Sequence, residues 1–398
     1  MKSSAYSFSG PLAAWITAGR RSGLAGRIGG FLDNAIRYGH ELPILIGNDG
    51  SDESISSEVH SIRQSHPDVE LYICGSDERR ALITSLSQCV QPLVLAAALL
   101  PRTDYAFSGP NRNAMLLCAA GQPLIMSDDD VDFRLARLAE PGSEEGTLYF
   151  APPSREAAVA AVTLVELDLV GEHLSCLSEE ETRICSVGFY GAAGSNVNRG
   201  ILSLQGAARQ ELMNTGYATT RDSPYAVRIP ATARISEETD LMAAHGSYNS
   251  VSMLPPFFSA GRNDDGLFAL TVRLCYPASR IAYPAFGVFH NPDSVHTYTD
   301  STRIGFALST SELFMSLSAW ALRQSGGESP EERMVGIGSV LHEVASLHAS
   351  DCIDLVVDLV SPSLSRYEAH LEGLLEEYNR HPEQWAQDVE ALLGNLRE

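Results

Sequence analysis

Short apolar runs alternate with helical patterns through the first third of the chain. In chain order these segments are the strand-like Leu12–Ala18, a helix near Gly23–Tyr38, the strand-like Pro43–Asp49, a helix near Glu53–Gln64, the strand-like Glu70–Cys74, a helix from about Ser76, a helix within NRNAMLLCAAG, and the strand-like PLIMSDD. Such alternation is typical of a parallel sheet with helices on both faces. It predicts an α/β fold with a mixed, mostly parallel sheet flanked by helices.

The pattern becomes helical after about residue 301. Apolar positions recur at helical spacing in ELFMSLSAWAL, RMVGIGSVLHEVASL and EAHLEGLLEEYNR. We therefore predict a main domain over 1–300 and a C-terminal helical region over 301–398. This region either packs on the main domain or forms a homo-oligomer.

The middle of the chain, about Ala151–Pro256, follows no simple alternation. It contains the Gly-rich GFYGAAGSNVNRG, a helix near Leu204–Met213 and the extended stretch RIPATARI. The Gly-rich piece is not a phosphate-binding P-loop, because it lacks the Gly-Lys-Ser/Thr ending. We expect this region to complete the sheet and to shape a second substrate site.

The charge balance excludes some partners. The net charge is −22, with 28 Lys and Arg against 50 Asp and Glu. Binding to nucleic acid or to an anionic membrane surface needs a concentrated basic surface, so both are disfavoured. An anionic ligand would have to be held locally by a few arginines, backbone amides or a bound metal ion.

Cysteine usage and hydropathy bear on the cellular compartment. The chain has seven cysteines without regular spacing, which does not indicate a disulfide framework or a zinc site. The polar start MKSSAYSFSG lacks the apolar core of a secretory signal, and the run LVLAAALL is too short to cross a bilayer. We expect a cytoplasmic protein with no integral membrane segment.

Polar residues gather where the predicted strands end. Thr17 and Arg20 follow the first strand, Asp49 follows the second, and Asp128–Asp130 follow a later one. In open sheets of this kind, ligands bind beyond the carboxyl ends of the strands. The sequence therefore predicts one pocket that collects these residues.

The three consecutive aspartates are the most informative of these residues. Adjacent like charges repel one another unless water, a cation or hydrogen-bond donors compensate them. Carboxylates at i and i+2 can face one cavity and bind Mg²⁺ or Mn²⁺, whose remaining positions are filled by water and substrate phosphates. The alternative is a solvated acidic turn. The apolar run before Asp128 favours the metal site.

Four segments together resemble the GT-A glycosyltransferases, nucleotide-sugar-dependent enzymes with a Rossmann-like sheet and an acidic D-x-D metal motif. The similarity is to inverting, family 2-like members, and the segments are ITAGR, PILIGNDGSDE, RNAMLLCAAGQPLIMSDDDV and GRNDDGLF. The resemblance implies a GT-A domain over 1–300. Its nucleotide-sugar-binding half would be about 10–135 and its acceptor-side half about 136–300.

The resemblance also implies roles for the strand-end residues. Thr17, Arg20 and Asp49 would contact the nucleoside. Asp128 would face the ribose or donor sugar and share the metal with Asp130. Asp129 would be the variable position.

A late histidine and a helix start add to the predicted donor site. The resemblance implies that His290 is a third metal ligand, and its alternative is a purely structural role. Arg112 and Asn113 open the helix before the acidic strand, which places them near the same cleft. Arg112 would bind the donor diphosphate or sugar, or else form a surface ion pair.

GRNDDGLF supplies the candidate general base. The apolar helical pattern LFALTVRLCY follows it, so Asp264 and Asp265 would lie at a helix N-terminus, where acids are favoured by the helix dipole. In the enzymes that this chain resembles, paired acids at this place include the base, which accepts the proton of the acceptor hydroxyl. Asp265 is the first choice and Asp264 the second.

These observations predict a glycosyltransferase that uses Mn²⁺ or Mg²⁺ and a nucleoside diphosphate sugar, with a UDP-sugar as first choice and inversion at the anomeric carbon. The acceptor is open, whether saccharide, peptide or small metabolite. One rival is a sugar-nucleotidyltransferase, because AGRRSGLAGR partly matches a basic triphosphate-binding loop. The other rival is a non-enzymatic binding or scaffold protein on the same fold.

Overall fold

The computed structural model describes residues 8, 10–17, 22–50, 52–100, 108–140, 147–193, 201–237, 241, 244–259, 263–295 and 310–397 in a mixed α/β fold. The strands are β1 (Leu12–Thr17), β2 (Ile44–Asn48), β3 (Leu71–Cys74), β4 (Pro123–Asp128), β5 (Val131–Leu138), β6 (Thr147–Phe150), β7 (Val162–Leu164), β8 (Thr182–Ser186), β9 (Gly188–Ala192), β10 (Tyr225–Pro230), β11 (Arg234–Ser236), β12 (His245–Asn249), β13 (Arg280–Tyr283) and β14 (Gly287–His290). The helices are α1 (Leu24–Arg37), α2 (Asp52–Ser65), α3 (Ser76–Leu86), α4 (Pro92–Leu99), α5 (Gly109–Cys118), α6 (Arg155–Ala160), α7 (Leu169–Ser178), α8 (Gly206–Thr215), α9 (Tyr217–Asp222), α10 (Asp264–Cys275), α11 (Thr310–Ser325), α12 (Pro330–Ala345), α13 (Ala349–Glu377) and α14 (Glu383–Arg397).

The first sheet has eight strands in the order β11-β13-β8-β12-β4-β1-β2-β3. Its β4-β1-β2-β3 portion is parallel, as the alternating pattern predicts. The strands β8, β11 and β12 come from the middle of the chain and extend this sheet as expected, and β13 comes from the segment that follows.

The first sheet is mixed, as predicted, but beyond β4 only the pairing of β13 with β8 is parallel. β12 runs antiparallel to both of its neighbours, β4 and β8, and β11 runs antiparallel to β13. Parallel neighbours need a long crossover, usually a helix, and the regular strand–helix alternation ends at β4.

A second sheet has six strands in the order β6-β10-β9-β14-β5-β7. Its pairings are antiparallel except for β14 with β9. Only two residues separate β4 from β5, so Asp129 and Asp130 form the turn that connects the two sheets. β14 pairs with β5 so that His290 lies opposite Val131.

The centre of the first sheet is buried on both faces. Every residue of β1 is buried, which is typical of a central strand covered by helices on both sides. Ala13 and Trp15 join one apolar cluster, while Leu12, Ala14 and Ile16 join the other. The two clusters therefore follow the period of two with which side chains alternate along a strand.

The C-terminal region is helical, as predicted, and it packs on the rest of the chain. The Arg209 guanidinium lies 3.8 Å from the ring centroid of Tyr378 and 3.9 Å from that of Trp385. The Trp385 indole donates a hydrogen bond to the Leu202 carbonyl at 3.1 Å. A homo-oligomer formed through these helices stays a prediction. Within the described ranges, no helix is both long enough and apolar enough to cross a bilayer.

Candidate active site at the junction of the two sheets

The acidic turn is buried. Asp129 and Asp130 are 4% and 8% exposed, and the Asp128 side chain is 29% exposed. Backbone bonds fix the turn, since the Asp128 N–H donates to Ala244 at 2.9 Å and the Arg27 guanidinium donates to the Asp129 carbonyl at 2.6 Å. The solvated acidic turn considered from the sequence therefore does not describe these residues.

His290 lies against Asp130. Its Nε2 atom is 3.3 Å from Asp130 Oδ2, and its Nδ1 atom is 2.6 Å from the Ala192 carbonyl oxygen. Because a carbonyl only accepts, Nδ1 carries a proton and Nε2 is the atom that faces the carboxylate. Burial lowers the pKa of His290, but the hydrogen bond and negative charge of Asp130 outweigh it and the pKa is raised.

Arg112 joins Asp128 to Asp264. Its Nη2 atom donates to both Asp128 oxygens, at 2.8 and 3.2 Å, and its Nε atom lies 3.5 Å from Asp264 Oδ2. Arg112 is only 4% exposed, so this is not the surface ion pair considered from the sequence. The guanidinium also lies 5.6 Å from the Phe257 ring centroid.

The same contacts govern the protonation of this cluster. Burial would lower the pKa of Arg112, but the charges of Asp128 and Asp264 outweigh it and raise the pKa. Burial raises the pKa of Asp128 to about 7, and the Arg112 charge opposes that rise.

Asp264 and Asp265 begin α10, as the pattern predicts. Ser108 Oγ donates to Asp264 Oδ2 at 2.8 Å, so that carboxylate is bound by Ser108 and paired with Arg112. Asp265 Oδ1 accepts from the Gly266 N–H at 2.9 Å. The preceding residue, Asn263, has a left-handed backbone with φ of 64° and makes no side-chain cap.

Of the predicted nucleoside contacts, Thr17 and Asp49 lie at the ends of β1 and β2, and β1 pairs with the strand that ends at Asp128. Asp49 pairs with Arg79 at 2.9 Å, and burial raises the pKa of Asp49 although Arg79 opposes it. Arg79 is fully buried and also donates to the Asn48 carbonyl and to Asn111 Oδ1, both at 2.9 Å. Thr17 Oγ1 donates to Asn48 Oδ1 at 3.4 Å.

Asn113 bonds to backbone: its Nδ2 donates to Ala98 at 3.0 Å and to Phe257 at 2.9 Å, and its Oδ1 accepts from Phe257 at 2.6 Å. Arg20 lies outside the described residues. The prediction for Arg20 therefore stays a prediction.

Of the predicted metal ligands, His290 contacts Asp130, whereas Asp128 is held by Arg112. Among the described residues, no group of three or more His, Cys, Asp or Glu side chains is arranged to hold a metal ion. Two carboxylates and an imidazole nevertheless suit Mn²⁺, and Mg²⁺ or Mn²⁺ commonly uses one or two protein carboxylates with substrate phosphates. The metal-binding roles of Asp128, Asp130 and His290 therefore stay a prediction.

Sequence reasoning missed three residues that organise the site, namely Arg79, Ser108 and Asn111. Ser108 could have been found, because Ser before Gly-Pro is a common helix start. Nothing in the sequence separates buried Arg79 from its neighbour Arg80, because their contacts depend on how α3 packs. Asn111 reaches the Gly47 carbonyl at 2.8 Å across the sheet end, a contact that only the fold reveals.

Comparisons with known proteins give distant likenesses only. The chain is similar over 97% of its length to the mannosyltransferase PcManGT from Pyrobaculum calidifontis, in complex with GDP-Man and Mn²⁺, covering 86% of that chain at 12% identity and a TM-score of 0.37. It is similar over 98% of its length to S. aureus TarS 1–349, covering 90% of that chain at 9% identity and a TM-score of 0.35. No family model and no curated protein matches the chain. Since both TM-scores lie below 0.5, function must rest on the site.

Proposed function

We propose that this chain is a metal-dependent glycosyltransferase of the GT-A type, which transfers a sugar from a nucleoside diphosphate donor to a hydroxyl or similar nucleophile. A UDP-sugar is the first choice of donor. The observation that carries the proposal is the buried acidic turn between the sheets, where Arg112 holds Asp128 and His290 faces Asp130. Burying so many charges in one turn lowers the stability of the fold. In this proposal the buried carboxylates bind a cation and, through it, a diphosphate.

Asp128, Asp130 and His290 would hold the cation. When bound, Mn²⁺ or Mg²⁺ neutralises negative charge on the departing diphosphate. The bond from His290 Nδ1 to the Ala192 carbonyl fixes the ring so that Nε2 faces the turn, which is the usual second contact of a metal-binding histidine. Thr17, Arg20 and Asp49 would bind the nucleoside at the neighbouring strand ends.

Asp265 would act as the general base. Asp264 is less suited, because Ser108 and Arg112 already engage its Oδ2 atom. A carboxylate at the start of α10 would accept the proton of the acceptor hydroxyl as its oxygen attacks the anomeric carbon from the face opposite the diphosphate. That arrangement inverts the anomeric configuration. In this proposal about 10–135 binds the donor and about 136–300 binds the acceptor.

One observation weighs against the sugar-nucleotidyltransferase alternative. Such an enzyme would use arginines of AGRRSGLAGR for the triphosphate, but Arg27 is buried and pairs with Asp132 at 3.1 Å. It also donates to the carbonyl oxygens of Ser22 and Asp129. Product analysis separates the two activities, because the transferase releases UDP and the alternative releases pyrophosphate.

The test is a calorimetric titration of UDP into the wild-type protein, with Mn²⁺ and with EDTA. We expect binding that requires Mn²⁺ and is lost in Asp130→Ala. Asp293→Ala, at an exposed position after β14, is the matched control and should bind as the wild type does. A screen of UDP-sugars for UDP release follows. If neither UDP nor other nucleoside diphosphates bind with Mn²⁺, the proposal fails and the non-enzymatic alternative gains weight.

A further inference from the structure

Arg112 forms a buried bridge between the two halves of the site. We call the contacts of Arg112 with Asp128 and Asp264 the Arg112 bridge, to which Ser108 is attached through Asp264. Asp128 ends β4 beside the acidic turn, whereas Asp264 begins α10 on the acceptor side. The bridge therefore connects the predicted cation site to the helix that carries the predicted base.

Burial strengthens the electrostatic interactions within the Arg112 bridge. The Arg112 side chain is 4% exposed and that of Asp264 is 13% exposed, so water screens their charges weakly. One guanidinium faces two carboxylates and holds Asp128 with two short bonds and Asp264 at a longer distance. The strength with which Arg112 holds Asp128 thus depends on the charge at Asp264.

We propose that Asp264 is a positioning residue that regulates, through Arg112, how available Asp128 is to the cation. This role rests on the proposed function. In the wild-type protein the Arg112 guanidinium is shared between the carboxylates of Asp128 and Asp264. In Asp264→Asn that second carboxylate is gone, so Arg112 would hold Asp128 more tightly and compete with the cation for its oxygens.

Ser108 holds Asp264 in the bridge. Its hydroxyl donates to the same oxygen, Oδ2, that lies near Arg112 Nε. A hydrogen bond from a hydroxyl to a carboxylate fixes the direction of the carboxylate. In this proposal the two acids of GRNDDGLF have different roles. Asp264 orients Arg112, and Asp265 accepts the acceptor proton.

UDP titration in the presence of Mn²⁺ tests this division. We expect Asp264→Asn to weaken UDP binding about tenfold and Ser108→Ala to weaken it about threefold. Asp265→Asn, which leaves the bridge intact, should bind UDP as the wild type does. In turnover, Asp264→Asn should keep the acidic limb of the pH profile and Asp265→Asn should lose it. Unchanged UDP binding in Asp264→Asn, together with loss of the acidic limb, would make Asp264 the base and overturn the proposal.

A double-mutant cycle tests the bridge without any nucleotide. Urea midpoints are compared for Asp128→Asn, Asp264→Asn and the double variant. We expect the double variant to lose more than the sum of the single losses, because only then does buried Arg112 lose both carboxylates of the bridge. If the double variant does not fold, Ser108→Ala replaces Asp264→Asn in the cycle.

The two measurements separate two kinds of failure. The protein could bind UDP with Mn²⁺ while the losses in urea midpoint of the two single variants add up to that of the double variant. That result would overturn the role of Asp264 and leave the proposed function standing. Absence of Mn²⁺-dependent nucleotide binding in the wild type would overturn the proposed function, and the role of Asp264 with it.

Discussion

At the scale of single residues, the site consists of charged side chains held away from water. Arg112, Asp130 and His290 are each less than a tenth exposed. Removing one member of a buried charge pair leaves its partner uncompensated, which costs more than breaking a surface ion pair. Conservative changes at these positions should therefore have large and separable effects.

The first prediction concerns His290. If its Nε2 atom binds the cation, His290→Ala should weaken Mn²⁺ binding roughly tenfold or more. The measurement is a titration in which free Mn²⁺ is followed by electron paramagnetic resonance. His342→Ala, at an exposed histidine in the last turn of α12, is the control. An unchanged Mn²⁺ affinity in His290→Ala would leave His290 a structural residue.

The second prediction concerns Asp265. Replacing the base by an amide removes proton acceptance but preserves shape, so Asp265→Asn should lower kcat by about 10²- to 10⁴-fold. Steady-state rates of UDP release with a saturating donor sugar provide the measurement. A kcat within a factor of a few of the wild-type value would exclude Asp265 as the base.

At the scale of elements, the start of α5 is the most constrained part of the site. α5 carries Arg112, and its first residue, Gly109, packs so closely that a Cβ atom there would lie 2.0 Å from the Phe258 carbonyl oxygen. Phe258 precedes α10 by a short segment, so this contact sets the spacing between the two helices that the Arg112 bridge joins. The two atoms nearest to an added Cβ belong to the backbone of Phe258, so no flexible side chain could move aside.

A third prediction follows from this packing. Gly109→Ala should lower the free energy of unfolding by about 1–3 kcal/mol and should also weaken Mn²⁺-dependent UDP binding. Urea unfolding and calorimetry measure the two effects. Gly394→Ala is the matched control, because a Cβ atom there meets nothing within 4 Å in a helix far along the chain. A wild-type free energy of unfolding in Gly109→Ala would show that the backbone at this contact shifts at little cost.

At the scale of the whole molecule, a pair of buried histidines links α7 to the first sheet. His173 Nε2 lies 2.9 Å from His245 Nε2, and His173 Nδ1 lies 2.9 Å from Ser247 Oγ. Both rings are fully buried. Burial lowers the pKa of His173 to about 3, and burial followed by the neighbouring ring lowers that of His245 well below its usual value.

The fourth prediction is the resulting acid sensitivity. Both pKa values are lower in the folded protein than the ordinary 6.5, so the unfolded chain binds protons more strongly. The stability that these two neutral rings contribute is therefore fully present above pH 6.5 and is lost as the pH falls through 6.5 toward 3. From pH 7 to 5.5, the free energy of unfolding should fall by about 1 kcal/mol for each histidine.

Urea unfolding across that pH range measures the effect. His173→Gln removes one titrating ring and should make the pH dependence shallower, whereas His342→Gln, at an exposed position, should not. An equally steep dependence in His173→Gln would mean that other groups cause the acid sensitivity.

Much of the fold could be predicted from local patterns. β1, β2, β3 and β4 lie where the apolar runs place them, and α10 starts at the acids of GRNDDGLF. These elements follow from hydrophobic period and from helix-start chemistry, which neighbouring residues specify. The antiparallel β12 and the second sheet could not be predicted, because strand partners are chosen by packing between segments far apart in sequence.

The sequence by itself determined that acids would end β4 and begin α10, because neighbouring residues specify apolar strands and helix starts. Only the tertiary structure decided which charges meet. It put Arg112 between Asp128 and Asp264, set His290 against Asp130, and gave Asp49 to Arg79. Each of these contacts joins different elements, so its existence depends on how helices and strands pack and on the burial that makes each charge need a partner.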